Sequence, residues 1–342
     1  MPKITAIITA YNLEHYLDRC FRQIFAQTFQ DFDVLIVDDC STDDTRGIIS
    51  RWQTQRPGQI RSLLLKKNLG MPAKARNAAL ESGLIDGECF LFLDGDDAIE
   101  TELLEKLYGA LTEQDADVAI CAYDRVEEQT GRVLCTEMQG FTPVVEMPPR
   151  NDLLAFINTA PWNKLWRTAV FGDGRFPPFR VGEEVVVQFT RYACCRRLAF
   201  VDDVLIHYSV RAGSVISNTT ETAIRDFAEE LQHCYEVQYD PVLRDTLGLM
   251  AFLHIGISMA IRAMDNPAID LRQHLHWTRQ YLFNTYGGLR GNRFLRLSSL
   301  RRHGIKGLLL WVSLIAYRLR CFGLVLRSYH VLSRLLHLDI KF

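Results

Sequence analysis

The chain has 342 residues, 48% hydrophobic and 23% charged, which excludes a disordered or collagen-like protein and leaves length for one large domain with additions, or two domains. Its net charge of −2 hides a split, because from residue 287 onward eleven Lys or Arg stand against a single acid, Asp339. A tail that basic meets something anionic, with membrane lipid and nucleic acid as the two classes.

In chain order, Ile4–Ala10 is a short β-branched run and Phe32–Val37 a second. Arg61–Leu65, Cys89–Leu93 and Asp117–Ala122 are predicted as further strands. Their apolar character is continuous rather than alternating, as in strands covered on both faces. Between them, Leu13, Tyr16, Leu17, Cys20, Phe21, Ile24 and Phe25 recur at three and four, which predicts an amphipathic helix. Ser41-Thr42-Asp43-Asp44 offers a cap for the next helix, and Ala73–Leu84 and Glu100–Leu111 complete the set. This β-α-β-α order predicts an α/β fold with a doubly wound, mostly parallel sheet. Residues 125–150 read as an irregular hairpin, 151–217 as mixed helix and strand, and 221–286 as largely helical. Leu247–Ile261 is apolar but too short to span a bilayer, so it is expected to be a buried helix. The nine cysteines lack paired CxxC spacing, and Met1–Thr5 shows no secretory pattern. A reduced, cytoplasmic setting is expected.

Ligands of open parallel sheets bind beyond the carboxyl ends of the strands. Thr9-Ala10-Tyr11-Asn12, Asp38-Asp39 and Asp94-Gly95-Asp96-Asp97 stand at those ends. Clustered carboxylates repel one another unless a cation or donor-rich ligand compensates, which suggests a divalent metal with a nucleotide. Loop and cap chemistry is the plainer alternative for Asp38-Asp39. An EF-hand starting at Asp94 fails because its glycine position is Ile99, and a GxGxxG dinucleotide loop is absent after the first strand. Asn68-Leu69-Gly70 and Ala75-Arg76-Asn77 follow the third strand, with Arg76 able to pair with phosphate or to be a solvated helix residue. Gly182-Glu183-Glu184 precedes an apolar helix, where acids are favoured by the helix dipole alone. Trp162-Asn163-Lys164 and Tyr208-Ser209-Val210-Arg211 are lesser signals.

These segments occur in order and together resemble the family 2 glycosyltransferases with the GT-A fold: Ile7–Asn12, Gln27-Thr28-Phe29, Val37–Asp43, Asn68–Gly70, Ala75–Asn77 and Phe92–Asp97. The resemblance covers residues 3–125 and, more loosely, 160–217. It implies an inverting transferase that uses a nucleotide-diphosphate sugar and Mg²⁺ or Mn²⁺. It further implies that Thr9, Ala10, Tyr11, Asp39, Asn68, Arg76 and Asp94 line the nucleotide sugar, and that Asp96 and Asp97 hold the metal. Glu183-Glu184 falls where the family usually has Glu-Asp, whose second residue is the general base; Glu184 is one methylene longer. Thr9 replaces a common proline.

Lys306, Ser313, Arg320, Arg327, Arg334 and Lys341 share one heptad phase amid apolar residues. This predicts an amphipathic helix lying on an anionic membrane surface across 306–341, with a core or oligomer helix as the alternative. The expected organisation is a GT-A domain at 1–217 (nucleotide half 1–125, acceptor half 126–217), a helical extension at 218–286 and a basic tail at 287–342. The expected protein is cytoplasmic, peripheral on the inner face of the cell membrane. It moves a sugar onto a hydroxyl of a lipid-linked or cell-surface glycan, and no nucleic acid is expected as a partner. A sugar-nucleotide nucleotidyltransferase and a non-catalytic nucleotide-sugar binder are the rivals.

Overall fold

The structure, a computed structural model, describes residues 2–147, 151–210 and 219–336. The chain divides into two compact units, residues 1–150 with 158–212 and residues 151–157 with 213–342.

The first unit is built on one mixed sheet. Strands β1 (Ile4–Ala10), β2 (Phe32–Asp38), β3 (Ile60–Leu64) and β4 (Cys89–Asp94) pair in parallel in the order β3-β2-β1-β4. Helices α1 (Leu17–Phe25), α2 (Thr45–Gln55) and α3 (Pro72–Glu81) make the crossovers. Ile7, Ile8, Val34, Leu35 and Leu91 are fully buried, as continuous apolar strands require. The predicted start of the first helix at Leu13 is instead a turn, with the Tyr16 amide bonded to the Leu13 carbonyl before α1 begins. After the short β5 (Ala98–Ile99) and α4 (Leu103–Glu113), the sheet continues through β6 (Val118–Glu127). This strand is longer than the predicted Asp117–Ala122, and β7 (Val133–Glu137) folds back on its second half. The pattern then leaves parallel pairing. After β8 (Val144–Glu146), the short β9 (Lys164–Arg167) slots antiparallel between β4 and β6. The helices α5 (Thr168–Phe171) and α6 (Glu183–Tyr192) lead to β10 (Arg197–Val210), which runs parallel to β6 and antiparallel to β5 and β8.

The second unit is helical: α7 (Glu221–Val237), α8 (Pro241–Ala251), α9 (Met259–Asp265), α10 (Leu271–Thr285), α11 (Leu297–Leu300), α12 (Gly304–Arg318) and α13 (Phe322–Leu336). A π-helical stretch, Phe252–Ser258, joins α8 to α9. The resulting Pro241–Asp265 helix has 25 residues, longer than expected, and by length and composition it could cross a membrane. Its most apolar window is 72% buried in the fold, which makes it an interior helix.

The single basic stripe expected across 306–341 is not formed. Helix α12 stops at Arg318, Arg320 takes a left-handed φ of 61°, and α13 starts afresh at Phe322. Ser313, in phase with the predicted stripe, is buried on the same side of α12 as Leu310, Leu314 and Tyr317. Apolar packing chose the inward face, so heptad spacing of the cations did not. Lys341 lies outside the described residues.

Candidate active site

The strand ends meet as the parallel order requires. In register, Thr9 of β1 faces Val37 of β2 on one side and Asp94 of β4 on the other, with Ala10 facing Asp38. The loop after β1 is pinned to the loop after β2. The Asn12 amide donates to Ser41 Oγ at 3.0 Å, and Asn12 Oδ1 accepts from the Thr42 amide at 2.8 Å. Asn12 and Cys40 both adopt positive φ, which places these two turns side by side.

The two neighbouring aspartates divide their roles. Asp38 is fully buried, accepts from the Ser41 amide and is bonded at 2.5 Å by Arg46 Nε, so it holds the loop. Asp39 faces the Asn68 loop: its Oδ1 accepts from the Leu69 amide at 2.7 Å, and Asn68 Nδ2 donates to the Asp39 carbonyl at 3.0 Å. Burial raises the Asp39 carboxyl above the usual carboxylate range, opposed by the amides of Leu69 and Gly70. Tyr11, 48% exposed, offers an open ring beside this edge.

The Asp94–Asp97 turn is equally differentiated. The Asp97 amide bonds the Asp94 carbonyl at 3.2 Å, and Arg19 Nη2 donates to the Asp96 carbonyl at 2.6 Å. Asp97 is turned inward. One of its oxygens accepts from the Ser209 amide at 2.9 Å, while Oδ2 is buried with no hydrogen-bond partner. Burial, then the Asp94 charge, push its carboxyl well above the ordinary range. Asp96 stays partly exposed. No cluster of three His, Cys, Asp or Glu that could hold a metal occurs among the described residues.

Arg76 joins this turn to α6. Its side chain is 3% exposed; Nη1 donates to Glu184 Oε1 at 3.0 Å and Nη2 to Asp94 Oδ1 at 3.1 Å. The guanidinium read from sequence as a phosphate partner or solvated residue is therefore buried, with both ends of its fork given to carboxylates. Gly182 at φ 83° starts α6 and sets both Glu183 and Glu184 in its first turn. Burial pushes Glu184 up to about 7; Arg76 opposes this, while Glu183 and Asp94 reinforce it. Glu184 keeps 28% of its side chain exposed, enough to meet a ligand.

Lys164, weak in the sequence, is fully buried under this corner. Its Nζ donates to Asn158 Oδ1, the Ala160 carbonyl and Asn163 Oδ1 at 2.5–2.8 Å. Gln188 of α6 donates to the Thr159 and Ala160 carbonyls, so the 158–163 loop is tied to the helix that carries Glu184. Trp162 in that loop stacks on Tyr208 at 5.4 Å. Ser209 carries only a lesser sequence signal and Arg19 none, because each acts through a contact made only by the folded chain; Arg211 lies outside the described residues.

Residues 5–155 match the model for glycosyl transferase family 2. The chain is 28% identical over 231 residues to the glycosyltransferase GlyA of Streptococcus pneumoniae, covering 64% of this chain and 32% of GlyA. It is 28% identical over 239 residues to the poly(ribitol-phosphate) beta-N-acetylglucosaminyltransferase TarS of Staphylococcus aureus, covering 68% of this chain and 40% of TarS. The chain thus spans well under half the length of these two relatives. The crystal structure of TarS residues 1–349 with UDP-GlcNAc superposes with a TM-score of 0.70 at 23% identity, covering 92% and 91% of the two chains. The mannosyltransferase PcManGT of Pyrobaculum calidifontis, in complex with GDP-Man and Mn²⁺, superposes at 0.54 with 16% identity, covering 98% of this chain and 87% of its own. Residues 5–155 thus carry a glycosyl transferase family 2 domain, and the chain has a GT-A fold.

Proposed function

We propose that the chain transfers a sugar from a nucleotide-diphosphate sugar to a hydroxyl of a lipid-linked or cell-surface glycan, inverting the anomeric centre. The observation that carries this reading is Arg76, which links a strand-end acid, Asp94, to a helix-start acid, Glu184, in one buried fork. The nucleotide belongs at the Tyr11, Asp39 and Asn68 edge beside Thr9 and Ala10, beyond the carboxyl ends of the parallel strands, where Tyr11 supplies an exposed ring.

Glu184 is the base. An acceptor hydroxyl attacking the anomeric carbon must lose its proton, and a carboxylate poised near neutrality accepts it efficiently. Displacement from the face opposite the leaving diphosphate inverts the centre. Arg76 fixes the carboxylate's position, which offsets the freedom of the extra methylene. Glu183, beside it, adds negative charge that keeps the base proton-hungry.

The residues present fit a hard divalent cation, Mg²⁺ or Mn²⁺. Asp96 is partly exposed at the turn, and the buried Oδ2 of Asp97 has no hydrogen-bond partner, leaving an acceptor that a neighbouring cation would satisfy. A site with one or two protein carboxylates suits an ion that takes its other ligands from phosphate and water. When bound, such a cation stabilises the charge gathering on the departing diphosphate.

TarS is named for transfer of N-acetylglucosamine to poly(ribitol-phosphate), and its structure holds UDP-GlcNAc. UDP-GlcNAc and a polyol-phosphate polymer are therefore the first donor and acceptor to test. A panel of sugar nucleotides with Mn²⁺ should give nucleoside diphosphate release that rises with acceptor and a β-linked product from an α-linked donor. Retention of configuration, or pyrophosphate formed from a nucleoside triphosphate and a sugar phosphate, would refute the proposal.

A further inference from the structure

Helix α12 is apolar on both of its faces. Leu310, Leu314 and Tyr317 point inward, and the Tyr317 hydroxyl donates to the Gly256 carbonyl in the π-helical turn. At 100° per residue, Ile305, Leu308, Val312, Ile315 and Leu319 fall on a single strip opposite to that face. This strip is open: Ile305 is 73% exposed, Leu308 50%, and Leu319, just past the helix, 69%. Leu324 on α13 adds another exposed apolar side chain at 67%. Scattered surface leucines need no explanation, but aligned ones on one helix do.

The charges around the strip share one sign. Arg301, Arg302 and Lys306 are exposed at its start, Arg318 and Arg320 at its end, and Arg327 on α13. No acid occurs between residues 287 and 338. Two acids from elsewhere in this unit that approach the segment are engaged, Asp245 with Arg293 at 2.6 Å and Asp152 with His303 at 3.0 Å. At 15 residues α12 is too short to cross a bilayer. Apolar side chains along the middle and cations at both ends are what a helix lying at a headgroup boundary requires, because long basic side chains reach outward while the strip enters the acyl region.

We infer that the Ile305–Leu319 strip of α12, with its flanking arginines and Lys306, docks the protein peripherally on an anionic lipid surface, the inner face of a cell membrane. Charge complementarity selects lipid as the occupant. A second copy of this chain would set the cations of one α12 against those of the other, whereas an anionic headgroup layer neutralises them.

The test is co-sedimentation of the 342-residue chain with phosphatidylcholine vesicles, with and without phosphatidylglycerol. Binding should require phosphatidylglycerol and weaken as salt is raised. The double variant Leu308→Glu/Val312→Glu should bind more than about tenfold more weakly, since each side chain loses its apolar burial and gains a charge facing lipid. The triple variant Arg301→Gln/Arg302→Gln/Lys306→Gln should lose about fivefold for each cation removed. Both sets lie on exposed positions, and circular dichroism checks the fold; if the double variant misfolds, the triple variant still decides. Equal binding to both kinds of vesicle, or full binding by the triple variant, overturns the inference. So does light scattering that shows the double variant breaking up an oligomer while vesicle binding is unchanged. Transfer to a soluble acceptor reads the catalytic proposal separately and should be unaltered in both variants.

Discussion

Arg76 and Glu184 are 108 residues apart in the chain and 3.0 Å apart in the fold. The other end of the same guanidinium sits 3.1 Å from Asp94. One buried cation therefore sets the position of a helix-start carboxylate relative to the end of β4, and that relationship governs what the site should do when altered.

Replacing Arg76 with Met should lower kcat by about 100-fold while changing donor KM far less, because the base loses its support at the reacting centre. Arg76→Lys should not restore the rate, since a point charge cannot bridge two carboxylates as a planar fork does. Steady-state kinetics with donor and acceptor varied separately check both outcomes. A loss confined to donor KM would make Arg76 a donor contact instead.

The pH profile follows from Glu184. Its carboxyl is pushed up to about 7 by burial, and only the ionised form accepts a proton, so kcat/KM should fall tenfold per pH unit below about 7. Glu184→Gln should remove most turnover with donor binding retained, and Glu183→Gln should stay active. Glu184→Asp draws the carboxylate back by ~1 Å, and a displacement of that size costs on the order of 100-fold. Full activity of Glu184→Gln beside an inactive Glu183→Gln would shift the base by one residue.

Asp96→Asn should cut transfer by at least ~100-fold and abolish its response to Mn²⁺, with the melting temperature little changed because Asp96 is partly exposed. Calorimetric titration of divalent metal in the presence of the nucleoside diphosphate is the measurement. An unaltered metal response would remove Asp96 from the metal site.

Gly87 precedes β4, where an added Cβ would lie 2.5 Å from the Cys89 carbonyl oxygen and 2.6 Å from the Thr5 amide nitrogen. Both are backbone atoms in the sheet and neither can swing aside. Gly87→Ala should cost about 1–3 kcal/mol, seen as a fall in melting temperature of about 2–4 °C per kcal/mol. An unchanged melt would show that the turn relaxes.

What the amino-acid order determined by itself was whatever is local. Runs such as FDVLIV and CFLFL fixed strands buried on both faces, and a parallel sheet then obliges the acids that follow them to gather at one edge. That is why Thr9, Asp39 and Asp94 could be placed at one sheet edge from the sequence. The pairing of Arg76 with Glu184, the inward turn of Asp97 onto Ser209 and the burial of Lys164 were decided only by tertiary structure. Each joins segments distant in sequence, and burial, not residue type, settles which charge must find a partner. The tail repeats the lesson. Spacing alone aligned Lys306, Ser313 and Arg320 on one stripe, yet packing buried Ser313 and turned Ile305, Leu308 and Val312 outward, because an amphipathic helix orients by the surface it can bury against its own core.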